Sequence, residues 1–427
     1  MTLPDPVFPD PGFPDPRFPE PRPAEPLRLS ELPDETASDQ LGVDAAPIDQ
    51  FALDRSLRPF GYSTMLPAAA YTDPRVHRWE RRHALAGSWV CIGRDDELPP
   101  EGATQQALTV GDIPVLLTRT DAGLRAFANT CPHRGHELLP EGDTAGSRAM
   151  VCPYHAWSFG LDGRLIGAPR MRDVTGFDPA TVSLAEVPLE IWQGWVLVNA
   201  SGTATGLAEH LGALDTLVGP YRPADLRLGG RNSYTLAANW KIVVENYHEC
   251  YHCPRIHPEL CAVTPPDSGD NYDLPGAWVG GSMDLRDGAE TMSLDGHGLG
   301  VPIDGVDQRR VLYLGLFPNL LLSLHPDYVM AHRMLPLAPD RTWVECSWYF
   351  PAAAFDRQGF DPGYAMEFWD ITNREDWAAC ESVQRGISSP HFRPGPLSPG
   401  EDAVHQWVTM IARLYRGRAP HHPPPSP

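Results

Sequence analysis

Four residues with the chemistry of an iron–sulfur site stand on two short arms of the chain. The first arm reads Cys131-Pro132-His133-Arg134-Gly135, and after eighteen residues beyond His133 the second reads Cys152-Pro153-Tyr154-His155-Ala156-Trp157. Each arm supplies one thiol and one imidazole. Two thiolates on one iron and two imidazoles on the other make the ligand set of one kind of two-iron, two-sulfur cluster, so two such loops can clamp both metals. Pro132, Pro153 and Gly135 suit tight loops that turn backbone N–H groups toward cluster sulfurs and so tune the potential. A tetrahedral zinc site uses the same residue types, but it commonly pairs Cys with Cys and His with His on each arm; the mixed arms argue against it. His136 is out of phase with the first arm and reads as a loop histidine.

A second group of ligand types lies between Asn239 and Pro258, in a stretch that reads as a helix and carries Glu245, His248, Glu249, His252 and His257. Two imidazoles and one carboxylate on one face of an iron leave adjacent positions open for dioxygen and substrate. His252 and His257 are five apart, so on a regular helix, at about 100° per residue, the second ring would point about 140° away from the first. Convergence requires a break or widened turn, and Pro254 is its expected cause. Cys250 and Cys253 have the spacing of a redox pair, but beside an imidazole on a helix packing is the expected role. The carboxylate must come from elsewhere. The helical stretch from Trp369 to Gly386 offers Asp370, Glu375 and Asp376, which the residues alone do not separate.

The two cysteine-histidine arms resemble the Rieske cluster motif of the aromatic-ring-hydroxylating and related non-haem iron oxygenases, in their large (alpha) subunits. The resemblance runs from about Pro59 to Tyr415. It implies that Cys131 and Cys152 hold one iron of a [2Fe-2S] cluster and His133 and His155 the other. It further implies that His252, His257 and Asp376 hold a mononuclear Fe(II), the third ligand standing in a Glu-Asp helix before a Gln-x-Gly turn. The family's residue three before the first ligand histidine is usually Asp and links the two metal centres; here it is Glu249. That Glu, and the wording Glu249-Cys-Tyr-His-Cys followed by His257-Pro-Glu-Leu, resemble enzymes acting on betaine-like quaternary ammonium compounds. A carboxylate placed between metal-bound histidines can accept a hydrogen bond from each. Asn246, three residues earlier, is grouped with Glu249 as a candidate catalytic residue. The resemblance also implies a ring, commonly a homotrimer, in which His155 of one subunit faces the iron segment of its neighbour.

Positioning these groups takes two kinds of architecture. Residues 86–200 read as short strands, such as Ser88–Ile92 and Pro114–Thr118, separated by Gly and Asp turns, which predicts a small all-β domain for the cluster. A helical segment over 46–85, with Pro74 near a helix start, is expected to pack on the second domain. From 201 to 418 helices mix with longer apolar runs, Val311–Phe317 and Leu320–Leu324 among them, and predict helices on an antiparallel sheet. The fold class is therefore α+β. Ten prolines in the first 27 residues, with Phe8-Pro9-Asp10-Pro11 recurring at Phe13 and, with Glu for Asp, at Phe18, predict an extended disordered tail over 1–45. A second tail is expected over 419–427.

The net charge of -21 opposes nucleic acid and anionic membranes as partners. No stretch is apolar enough to span a bilayer, and the first thirty residues lack the basic start and apolar run of a signal peptide, so a cytoplasmic protein is expected. The eight cysteines are too sparse for a disulfide framework. With no dinucleotide fingerprint and no second ferredoxin pattern, NAD(P)H can act only indirectly, through an external flavin or ferredoxin-type reductase. The expected function is a terminal oxygenase that uses O2 to hydroxylate a substrate, by oxidative N-demethylation of a betaine-like quaternary ammonium. Aromatic faces for such a cation could come from Trp278, Tyr313, Phe317, Tyr328 and Trp369. Hydroxylation of an aromatic or other apolar substrate is the alternative, and a pure electron carrier is the alternative from another class.

Overall fold

The computed structural model describes residues 43–420. The expected proline-rich tail therefore lies outside the described residues except for 43–45, and the expected end tail except for 419 and 420. Among the described residues no helix is long and apolar enough to cross a membrane.

The segment that carries the cysteine-histidine arms is built from three small antiparallel sheets. In the largest, Ile113–Thr120 lies between Gln105–Val110 and Gly123–Ala128, with Thr144–Ala145 and Glu186–Val187 at its edges. Val110 pairs with Ile113 across a two-residue loop. Gly111 opens that loop with φ +63°, and a Cβ there would stand 2.1 Å from the carbonyl oxygen of Arg81. Glycine is thus demanded twice, by the turn and by the approach of a neighbouring backbone. Arg81 fixes the approach by donating from Nε and Nη2 to the Gly111 carbonyl at 2.9 and 2.7 Å. The helix Pro74–Glu80, capped by the Asp73 side chain, leads through a widened turn to this contact.

The second segment is organised by a seven-stranded antiparallel sheet, ordered Leu226–Leu236, Arg341–Pro351, Val329–Ala338, Leu320–Leu324, Arg310–Leu316, Trp278–Asp284 and Asp270–Asn271. Its central strands Arg310–Leu316 and Leu320–Leu324 are mostly apolar, because both of their faces pack against buried layers. In Arg310–Leu316, Val311 faces a core shared with the helices Trp240–Tyr247, Gly363–Ile387 and Asp402–Tyr415. Leu312, Leu314 and Leu316 face a second core with Leu214, Trp192 and Trp195. The period-two alternation of a strand decides which side chain serves which layer. Trp348 and Trp407 are fully buried in the first core, where truncation of such a side chain to alanine costs about 3–5 kcal/mol. Asn319 ties the strand Val90–Arg94, in one of the three small sheets, to the large sheet, accepting from the Cys91 N–H and donating to its carbonyl, both at 2.9 Å.

Under the helices runs a buried polar network. Lys241 Nζ, fully buried, lies 2.7 Å from Glu80 Oε1, and Tyr71 donates to Glu245 at 2.8 Å. A buried charge is tolerated only when paired, so these bonds fix the segment around Tyr71 and Glu80 against the helix that leads to His252.

Candidate metal centres

The two cysteine-histidine arms close in the same way. In the first, the Cys131 N–H donates to the His136 carbonyl at 2.8 Å and the Gly135 N–H returns to the Cys131 carbonyl at 2.9 Å. In the second, the Cys152 N–H donates to Trp157 at 2.8 Å and the Ala156 N–H returns to Cys152 at 3.0 Å. Gly135 and Ala156 hold the equivalent corner with φ +75° and +62°. The left-handed corner is free for glycine and strained for alanine, so the second loop stores strain that the first avoids. Both thiols are buried, and the rings of His133 and His155 are 4.6 Å apart. His133 stacks on Trp157 at 4.7 Å, and its Nδ1 is buried with no hydrogen-bond partner. Two thiols, two imidazoles and an orphaned ring nitrogen fit a cluster bridged between the loops. His136 is exposed and bonds its Nδ1 to the Glu137 carbonyl, outside this group.

The helix Trp240–Tyr247, capped by the Asn239 side chain, stops before Glu249. The expectation of one helix interrupted at Pro254 is corrected here. Glu249 Oε2 accepts from the N–H groups of Tyr251 and His252, offering the backbone an alternative to continued helix. His252 then caps a short helix, Cys253–Ile256, in whose first turn Pro254 sits without disruption. The decisive proline is Pro258: the residue before a proline is driven out of the helical region, and His257 adopts φ -120°, ψ 71°. That rotation brings His257 Nε2 to 3.1 Å from His252 Nε2.

Asp376, from the helix Gly363–Ile387, places Oδ1 2.9 Å from His257 Nε2 and 3.4 Å from His252 Nε2. The three ligand atoms lie within 4.8 Å of one another. The outer nitrogen of each ring is held by another carboxylate, His252 Nδ1 by Glu249 Oε1 and His257 Nδ1 by Glu375 Oε2 at 2.7 Å. Asp370 bonds Tyr234 and Arg374 instead. Burial opposes a charged His252 ring, but Asp376 and Glu249 outweigh it and lift the imidazole to about 9. Burial likewise opposes ionised Asp376, yet the two histidines hold it below the usual carboxylate range. The triad thus favours positive charge at its centre, which a divalent metal supplies in place of protons.

The triad opens into a cavity of about 520 Å³. Of the five aromatic residues weighed from sequence, Tyr313 and Trp369 line it. Trp278, Phe317 and Tyr328 are instead buried in the cores. Tyr247, overlooked in the sequence although it ends the helix just before Glu249, also lines the cavity, with its ring 6.0 Å from that of Tyr313. Asn246 lines the cavity too, and its side chain shows no bond to the triad. Cys250 and Cys253 are joined by a disulfide, with Cα atoms 4.9 Å apart, rather than simply packed.

Residues 88–187 match the Rieske [2Fe-2S] domain, and residues 223–417 match the ring hydroxylating alpha subunit (catalytic domain). The chain is 39% identical over 336 residues to the carnitine monooxygenase oxygenase subunit of Escherichia coli K12, covering 77% of this chain and 85% of that protein. It is 30% identical over 390 residues to the glycine betaine monooxygenase oxygenase subunit of Chromohalobacter salexigens, covering 82% and 86%. A solved quaternary ammonium Rieske monooxygenase superposes with a TM-score of 0.69 at 25% identity, over 87% of this chain and 100% of that one. Domain matches on both segments and this degree of identity follow the geometry above, and the chain belongs to the family of Rieske-type ring-hydroxylating oxygenase alpha subunits, enzymes of O2, a [2Fe-2S] cluster and a mononuclear iron.

Proposed function

We propose that Cys131, Cys152, His133 and His155 hold the cluster, that His252, His257 and Asp376 hold the mononuclear Fe(II), and that the enzyme N-demethylates a quaternary ammonium compound. The observation that carries this reading is the convergence of two fixed imidazoles and one carboxylate at an aromatic-walled cavity. When bound, the cluster supplies electrons and the ferrous ion supplies activation of O2. Tyr247, Tyr313 and Trp369 offer aromatic faces to an ammonium group, whose charge they attract without hydrogen bonds. Glu249 and Glu375 hold the imidazoles in one tautomer, Nε2 inward.

The balance is that of a monooxygenation. One oxygen atom of O2 enters an N-methyl C–H bond and the other leaves as water, with two electrons and two protons consumed. The resulting carbinol ammonium releases formaldehyde and a proton and leaves a tertiary amine. The electrons come from an external flavin or ferredoxin-type reductase that draws on NAD(P)H, and the working assembly is a cytoplasmic homotrimer in which Glu249 links His252 to the cluster of a neighbouring copy. The test is formaldehyde release from a panel of N-methylated ammonium compounds, using the full chain and a surrogate reductase. Release supports the reading; silence there with turnover of an arene overturns it.

A further inference from the structure

The charge around the cavity constrains the far end of the substrate. Glu249 and the triad's own Asp376 line the cavity, and so do Asp267, Asp270 and Asp402, Asp267 and Asp270 being exposed. No Lys or Arg stands among the described residues that line it. Of the histidines, His252 and His257 are committed to the triad. His248 is 7% exposed, and its Nε2 packs so closely on Gly315 that a Cβ there would be 2.2 Å away. Burial holds that ring uncharged. With Asp376 and Glu249 taken up by the histidines and the iron they would hold, a carboxylate on the guest would still meet Asp267, Asp270 and Asp402 and no lining Lys or Arg to offset them.

A neutral polar group finds a partner. The Tyr313 hydroxyl is buried and has no hydrogen-bond partner among the described residues, although its ring lines the cavity beside Trp369, at 6.3 Å. An orphaned buried hydroxyl is costly unless a guest satisfies it. We infer that this site selects quaternary ammonium compounds that carry no carboxylate, with a hydroxyl or similar neutral group that Tyr313 binds, over zwitterions of the betaine and carnitine kind. The inference rests on the ammonium reading above and narrows it.

The test compares matched substrates on the full chain with both metal sites filled. Carnitine is set against its methyl ester, glycine betaine against its methyl ester, and choline against both acids. Substrate loss is followed by mass spectrometry, which does not presuppose the carbon attacked, and binding is measured separately by calorimetry. The uncharged ends are expected to win by about tenfold or more in kcat/KM and in Kd, the ratio that one uncompensated like-charge contact produces. Asp270→Asn is expected to narrow that ratio, and Tyr313→Phe to narrow the preference for choline over ethyltrimethylammonium. Equal or better use of the free acids overturns the inference and leaves the ammonium reading intact. Failure of every ammonium compound to bind, with turnover of an arene, overturns both.

Discussion

His257 Nδ1 lies 2.7 Å from the Glu375 carboxylate, while the same ring's Nε2 faces Asp376 at 2.9 Å. Two consecutive residues of one helix thereby grip both nitrogens of a single imidazole. With Glu375 accepting from Nδ1–H, the Nε2 lone pair would face inward, where a metal could take it.

Glu375→Ala is expected to weaken iron retention or activity by about 10- to 100-fold, the usual cost of losing such a support. Glu375→Gln, which still accepts a hydrogen bond, should retain most of both. Iron content per chain, measured beside the visible spectrum of the cluster, checks this. Full iron retention and activity in the alanine variant would remove Glu375 from the support of His257.

Asp376→Ala should lose the mononuclear iron while keeping both cluster irons, and with it more than about 100-fold of the activity. Asp370→Ala should keep all the iron, since Asp370 is engaged by Tyr234 and Arg374. An inverted result would move the carboxylate ligand to Asp370 and overturn the assignment of Asp376.

His133→Ala should abolish the rhombic resonance of the reduced cluster, whereas His136→Ala should preserve it, because the His133 Nδ1 is buried without a partner and its ring lies 4.6 Å from that of His155, while His136 is exposed and bonds Glu137. Loss of the signal in both variants would point to collapse of the loop and not to ligation.

Glu249→Gln should leave both metal sites filled yet slow turnover relative to cluster reduction, since it weakens the carboxylate bond to His252. Stopped-flow reduction compared with product formation separates the two steps. An unchanged ratio between them would refute a linking role.

Glu245, buried and bonded to Tyr71, has its carboxyl pushed up to about 8 by burial. The folded form thus binds a proton that the unfolded chain, with a pKa near ~4.3, releases earlier. Its stabilising contribution is complete below that lower value and is lost as pH rises through about 8. Lys241, whose pKa burial lowers, acts in the opposite sense. Glu245→Gln should therefore stabilise the protein at pH ~8.5 relative to ~5.5 by on the order of 1–3 kcal/mol. Thermal melts across that range check it; a variant with the same pH slope as the parent would mean that Glu245 is ionised when folded.

Much of this protein is legible one residue at a time. The two arms around Cys131 and Cys152 are local motifs, each complete within six residues, and their shared hydrogen-bond closure follows from chain geometry over the same short span. The apolar runs at Val311–Phe317 and Leu320–Leu324 likewise declare strands, because alternation and length are local properties. The segment around His252 is less legible: its turns are set locally, by Glu249 accepting from the N–H groups just after it and by Pro258 acting on His257, but two possible breakers, Pro254 and Pro258, compete over the same few residues.

The sequence by itself determined which residue types could act as ligands, their grouping into two candidate sites and the α+β plan, because each depends on residue types and short spacings. Only the tertiary structure decided that Asp376 faces the Nε2 atoms of His252 and His257 while Glu375 bonds the outer nitrogen of His257. Only the folded chain, too, separates Tyr247, Tyr313 and Trp369, which wall the cavity, from Trp278, Phe317 and Tyr328, which fill cores. The reason is that a side chain's role depends on which surface meets it, and residues 118 and 119 positions apart meet only after the sheet and helices have packed.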